Sequence, residues 1–145
     1  MDLGFLLLTD HSEAINGKLY AIGAGWNMLR FPQLPSAFAF GIAFGIDVPW
    51  DETNRRHTLK LHIEDPDGER LGDEFSLDFE TGRPPGSVPG QDQRMVLSLG
   101  AQSTFATAGP HAVIIRVGDE EVGRSRFYVV VAPQEMQQAE PEGAA

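Results

Sequence analysis

With 145 residues, 11 basic against 21 acidic side chains and a net charge of −10, the chain is long enough for one domain with a sizeable core. It is poorly suited to polyanions. Nucleic-acid binding needs a concentrated cationic face and anionic membranes attract basic segments, so neither nucleic acid nor a membrane is expected as a partner. The chain has no cysteine, which excludes disulfides and thiol catalysis and fits a reducing compartment.

The N-terminal residues carry no positive cluster, and their apolar run is too short for a signal peptide or a membrane span. A cytoplasmic protein is therefore expected. Residues 3–9 are apolar and predict a short buried strand, ending at the polar corner Asp10-His11-Ser12-Glu13. Asn16-Gly17 is a strong turn signal, and residues 18–26 predict the second strand. Phe31-Pro32-Gln33-Leu34-Pro35 interrupts the pattern.

The next segment has the most unusual pattern in the chain. Phe38, Phe40, Ile42, Phe44 and Ile46 alternate with Ala37, Ala39, Gly41, Ala43 and Gly45. A period of two puts all the large side chains on one face and all the small ones on the other. The large face fills a core, and the small face invites close approach by another element.

Residues 47–56 read as a connection. In 57–64, Leu59, Leu61 and Ile63 alternate with Lys60, His62 and Glu64, the pattern of a half-exposed strand. Asp65-Pro66-Asp67-Gly68 is a turn in which Pro presets φ and Gly accepts a positive value. Phe75, Leu77 and Phe79 mark the next strand, and residues 82–90 are a Pro/Gly loop. Met95, Leu97 and Leu99 mark another, and 111–117 with 122–131 form a final pair. Residues 133–145, rich in Gln, Glu, Ala and Pro, predict a disordered acidic tail behind a single domain spanning 1–132.

Roughly eight strands at this spacing, with no long helix, predict an all-β fold. A two-sheet antiparallel sandwich of immunoglobulin-like, Greek-key type is the first choice, and a small barrel the second. The segments Thr9-Asp10, 16–26, Val48-Pro49-Trp50-Asp51 and Asp65-Pro66-Asp67-Gly68 resemble a family of small bacterial domains of unknown function. The resemblance covers most of the chain up to the tail. It implies a β-sandwich of similar size and carries over no activity and no site residue.

No constellation points to catalysis, so the chain is not expected to be an enzyme, and no cofactor is expected. Asp10, His11, Ser12 and Glu13 are sequence neighbours, whereas residues that converge on one reacting atom usually come from separate elements. His11, His57, His62 and His111 show no metal-ligand spacing, and Asp65-Pro66-Asp67-Gly68 lacks the distal ligand of a calcium loop. Gly23-Ala24-Gly25 is not a complete phosphate-binding fingerprint.

Two surfaces remain as candidates. In the last hairpin, Val113, Ile115 and Val117 with Ser125, Phe127, Val129 and Val131 make the more apolar set and should face the core. The other set joins Ile114, Tyr128 and Val130 to Arg116, Arg124 and Arg126, a composition favoured at protein interfaces. A simple pairing can place Arg116 opposite Arg124, which repel, and a bulge is one way to relieve this. The plainer reading is an ordinary solvated face. The second candidate is Trp50 with Asp51 and Glu52, an aromatic between carboxylates on a loop, which could serve as a sugar- or peptide-binding edge or simply cap the sandwich. The preferred function is a non-catalytic protein-interaction module whose partner is another protein or a second copy. The alternative is a small-molecule or carbohydrate binder using loops 47–56 and 82–92.

Overall fold

The computed structural model describes residues 1–132, so the expected tail lies outside the described residues. Among these residues the fold is all-β, with nine strands in two sheets and one 3₁₀ turn at Trp50–Glu52. The strands are β1 (Asp2–Ile15), β2 (Lys18–Ala24), β3 (Met28–Phe31), β4 (Ser36–Val48), β5 (Arg56–Glu64), β6 (Arg70–Glu80), β7 (Gln93–Phe105), β8 (Gly109–Val117) and β9 (Glu120–Val131). The four-stranded sheet has the order β2-β1-β4-β7, and the five-stranded sheet has the order β3-β9-β8-β5-β6. Among the described residues no helix is long and apolar enough to cross a membrane, which says nothing of crossing by strands.

The alternation in the sequence decides the core. Phe40, Ile42, Phe44 and Ile46 of β4 are buried against Leu59, Leu61 and Ile63 of β5, and against Val113, Ile115, Phe127 and Val129 of β8 and β9. At one end, aromatic rings from both sheets meet. Phe105 lies edge-on to Phe127 at 5.9 Å and stacks on Phe31 at 5.9 Å. Trp26 meets Phe38, Phe40 and Phe127 edge-on. Such pairs add about 0.5–1.5 kcal/mol each beyond area burial.

The small face of β4 is covered, as its composition invites. The partner is β1, which pairs with β4 as far as Thr9↔Gly41 and then turns across it. A Cβ on Gly41 would strike the hydroxyls of Thr9 and Ser12, and one on Gly45 would strike the Phe5 ring. Ser12 reaches β7, where its hydroxyl meets that of Ser98 at 2.6 Å, and Ser98 Oγ donates to the Ser12 carbonyl at 2.8 Å. The 10–13 segment is thus strand and not a corner. It continues to Ile15 and turns at Asn16-Gly17, whose φ values of 51° and 73° are those of a type I′ hairpin.

Two further departures concern pairing. Nine strands form where about eight were expected, because Met28–Phe31 adds to the five-stranded sheet. It does so in parallel with β9, Met28 opposite Tyr128 and Phe31 opposite Val131, so the strand pairing is not wholly antiparallel.

Candidate interaction surface

The β8–β9 hairpin has the face assignment that its alternation predicts as far as Val129, whereas Val131, at the end of the strand, is 52% exposed and not part of the core. Phe127 and Val129 point inward and are fully buried, while Arg124, Arg126 and Tyr128 are exposed, Tyr128 by 42%. The tight turn at Gly118-Asp119 pairs Val117 with Glu120 and Arg116 with Glu121, and beyond a register shift between Ile115 and Arg116 the partner of Ile114 is Arg124, so Arg116 does not face Arg124.

Ile114 corrects the expectation. It is on the outer face yet only 1% exposed. β8 is an interior strand, so Ile114 is flanked by His62 of β5 and Arg124 of β9, and long side chains on neighbouring strands close over a short apolar one. His62 is itself buried, only 9% exposed, with Nε2 3.0 Å from Glu64 Oε1 and Nδ1 3.8 Å from Glu74 Oε2. The centre of the predicted patch is therefore packed, and the accessible part lies along β9.

The arginines differ in what they do. Arg124 grips Glu121 with both ends of its fork, Nη2 to Oε1 at 2.6 Å and Nε to Oε2 at 3.2 Å, and this hydrogen bonding holds the Glu121 carboxyl below its ordinary range. Arg116 donates from Nη2 to the Asp119 carbonyl at 3.2 Å and is half-buried. Arg126 is exposed. Val130 is half-buried and Met28, beside Tyr128 on β3, is 39% exposed. Sequence reading missed Met28. The alternation Met28-Leu29-Arg30-Phe31 could have suggested a strand, but nothing local says that it adds to β9.

The Trp50 loop is closed by a residue that sequence reading did not single out. Arg83, from the 82–90 loop, sits over the Trp50 ring and donates to Trp50 O and to Thr53 Oγ1 at 2.8 and 2.7 Å. Thr53 Oγ1 in turn donates to Trp50 O at 2.6 Å, and the His57 ring lies 2.8 Å from the Glu52 carbonyl. Asp51 is exposed, and Glu52 borders a shallow recess of about 210 Å³ with Arg55, His57 and Glu120. The structure keeps the aromatic at the surface but covers one of its faces.

A third feature is a cleft between the sheets on the side where β6 and β7 form their edges. It has a volume of about 340 Å³ and an apolar floor. The four histidines are separate: His11 is exposed beside Glu13, His57 lies against Phe79, and His111 is buried and stacked on Phe127.

The pattern of a family of unknown function (DUF6941) matches residues 4–130 of the chain. No curated protein matches it. Among solved structures, the Pseudomonas fluorescens alkylpurine DNA glycosylase AlkC, bound to DNA containing an abasic site analog, is similar at a TM-score of 0.45 and 11% identity. The match covers 72% of this chain and 27% of that one. The expectation that nucleic acid is excluded as a partner rested on net charge alone and is withdrawn. Net charge is a sum over the whole molecule, whereas binding follows the local field, and a chain at −10 still presents Arg124 and Arg126 on one sheet face. A likeness at this level carries nothing more about this chain.

Proposed function

For a chain that belongs to a family of unknown function, function must be read from the molecule itself, and we propose a non-catalytic protein-interaction module that binds through the outer face of β9 and β3. The observation that carries this reading is the adjacent, exposed pair Tyr128 and Met28, with Arg126 beside them on an acidic protein. An amphipathic aromatic, a flexible thioether and an arginine are the side chains that interfaces favour. A non-catalytic role is supported by the engagement of Glu121 with Arg124 and of Asp47 with Arg94, which leaves these carboxylates in structural pairs.

We further assign the architecture to the immunoglobulin-like type. The strand order supports this: the N-terminal region contributes β1 to one sheet and β3 to the other, and β3 runs parallel to β9 beside β8, β5 and β6. The cysteine-free, acidic composition supports a cytoplasmic setting. The alternative, a small-molecule or carbohydrate binder at loops 47–56 and 82–92, is less well supported because Arg83 occupies one face of Trp50.

The test is the double variant Tyr128→Ala with Arg126→Glu. Circular dichroism should show an intact fold, while sedimentation and quantitative capture should show that partners held by the wild type are lost. Retention of the same mass and the same partners would remove this face as an interface.

A further inference from the structure

The four-stranded sheet ends on β7, and this edge is the least protected among the described residues. β7 is 13 residues long and pairs with β4 from Gln93 to Phe105 without a register shift. Among the described residues it has no strand partner on its other side, so backbone N–H and C=O groups there lack a ladder. Proteins usually blunt such edges with charge, proline, bulges or shortness.

The other three edges follow that rule. β3 has 4 residues, and β2 has 7 and begins with Lys18. β6 carries Arg70, Asp73, Glu74, Asp78 and Glu80 and is irregular in its pairing with β5. In β7 the only charge is Arg94, near the start, and there is no proline.

This edge opens onto the cleft of about 340 Å³, whose lining includes Ile42, Leu61 and Ile63 from the core, Leu71 and Phe75 from β6, and Leu99 from β7. The cleft borders five successive β7 residues, 99–103. Successive strand residues point to opposite faces, so the cleft follows the edge of the strand and does not lie under one face. Asp73 lines the β6 side.

We propose that the free edge of β7 takes up an extended peptide segment of a partner protein as a fifth strand. One large apolar side chain of the segment fills the cleft, and basic residues flank it. Main-chain pairing supplies the attachment, and alternate side chains supply the selection. The basic flanks follow from Asp73, from the acidic β6 edge and from a net charge of −10. A second copy of this chain fits worse, because it would bring another −10 and another acidic β6 edge beside the first.

The test uses the whole protein and the synthetic peptide acetyl-Lys-Thr-Val-Thr-Leu-Thr-Val-Thr-Lys-amide, with the same peptide carrying Glu for Lys as control. Hydrogen exchange should slow at residues 98–104 on adding about 1 mM basic peptide. The acidic peptide should bind at least about tenfold more weakly. Gly100→Lys keeps the fold, since a Cβ there meets nothing within 4 Å, and should also weaken binding by about tenfold through like charge at the edge. Ala101→Phe, which fills the cleft, should do the same. The double variant Tyr128→Ala with Arg126→Glu should bind the peptide normally, which separates this edge from the β9 face. Unchanged exchange along β7 would overturn the proposal, as would equal binding of both peptides. A concentration-dependent doubling of mass that Gly100→Lys abolishes would assign the edge to a second copy instead, and protection of the same amides by an oligonucleotide but not by peptide would assign it to nucleic acid.

Discussion

The guanidinium carbon of Arg83 lies 3.8 Å from the centre of the Trp50 ring, while two of its nitrogens hydrogen-bond Trp50 O and Thr53 Oγ1. One side chain thus fastens the Pro/Gly loop after β6 to the 3₁₀ turn before β5. The stacked geometry suits arginine's planar fork and not lysine's point charge.

Arg83→Ala should therefore cost about 1–2 kcal/mol, the sum expected for an exposed cation–π contact and two partly exposed hydrogen bonds. Arg83→Lys should recover little of it. Urea denaturation checks the stability, and a change in tryptophan fluorescence checks that the indole has been uncovered.

Gly41 and Gly100 face each other across the β4–β7 ladder, yet they should respond oppositely to added bulk. Gly41→Val drives a side chain into Thr9, which is fully buried, and into Ser12, so a loss of at least about 1–3 kcal/mol is expected from overpacking. Gly100→Ala enters open space and should be neutral or stabilising by about 0.4–1 kcal/mol, because alanine restricts the unfolded chain. Thermal melts of the two variants decide it.

Ile114 and Tyr128 were both expected on one exposed face. Since Ile114 is 1% exposed, Ile114→Ala should cost about 2–4 kcal/mol. Tyr128→Ala should cost about 1 kcal/mol or less, as surface changes do. Equal costs in denaturant titrations would contradict the burial of Ile114.

Arg94 binds Asp47 through Nε to Oδ1 at 2.7 Å and Nη2 to Oδ2 at 3.0 Å. That hydrogen bonding holds the Asp47 carboxyl below its ordinary range. A depressed folded value means that the stabilisation is complete above the unfolded value, about pH 4, and is lost as pH falls through the folded one. Asp47→Asn should flatten that part of the acid limb and leave a small, salt-sensitive loss near neutrality, since the pair is partly exposed. Melting temperatures between about pH 2 and pH 7 test this.

Much of the fold was legible because a β-strand writes its faces into the sequence with a period of two. Phe40, Ile42, Phe44 and Ile46 point inward as their alternation requires, and Phe127 and Val129 do the same opposite them. The small residues between the large ones of β4 also announced a covering element, because only glycine and alanine leave room for one. Asn16-Gly17 set a hairpin turn that few other pairs can adopt.

Periodicity is local, and what it cannot carry is which distant segment completes each element. Residues 10–15 have no apolar alternation. They are strand because β2 pairs with them and because Ser12 reaches Ser98 across β4. Met28–Phe31 is a strand only because β9, from the far end of the described chain, lies beside it. Ile114 sits on the face its position dictates, but an interior strand between His62 and Arg124 sets its depth. The unpaired edge of β7 and the cleft beside it arise from sheet order alone. The sequence by itself determined the faces and the turns, whose energetics are settled within a few residues. The tertiary structure decided strand order, depth and edges, because these depend on contacts between segments that only the folded chain brings together.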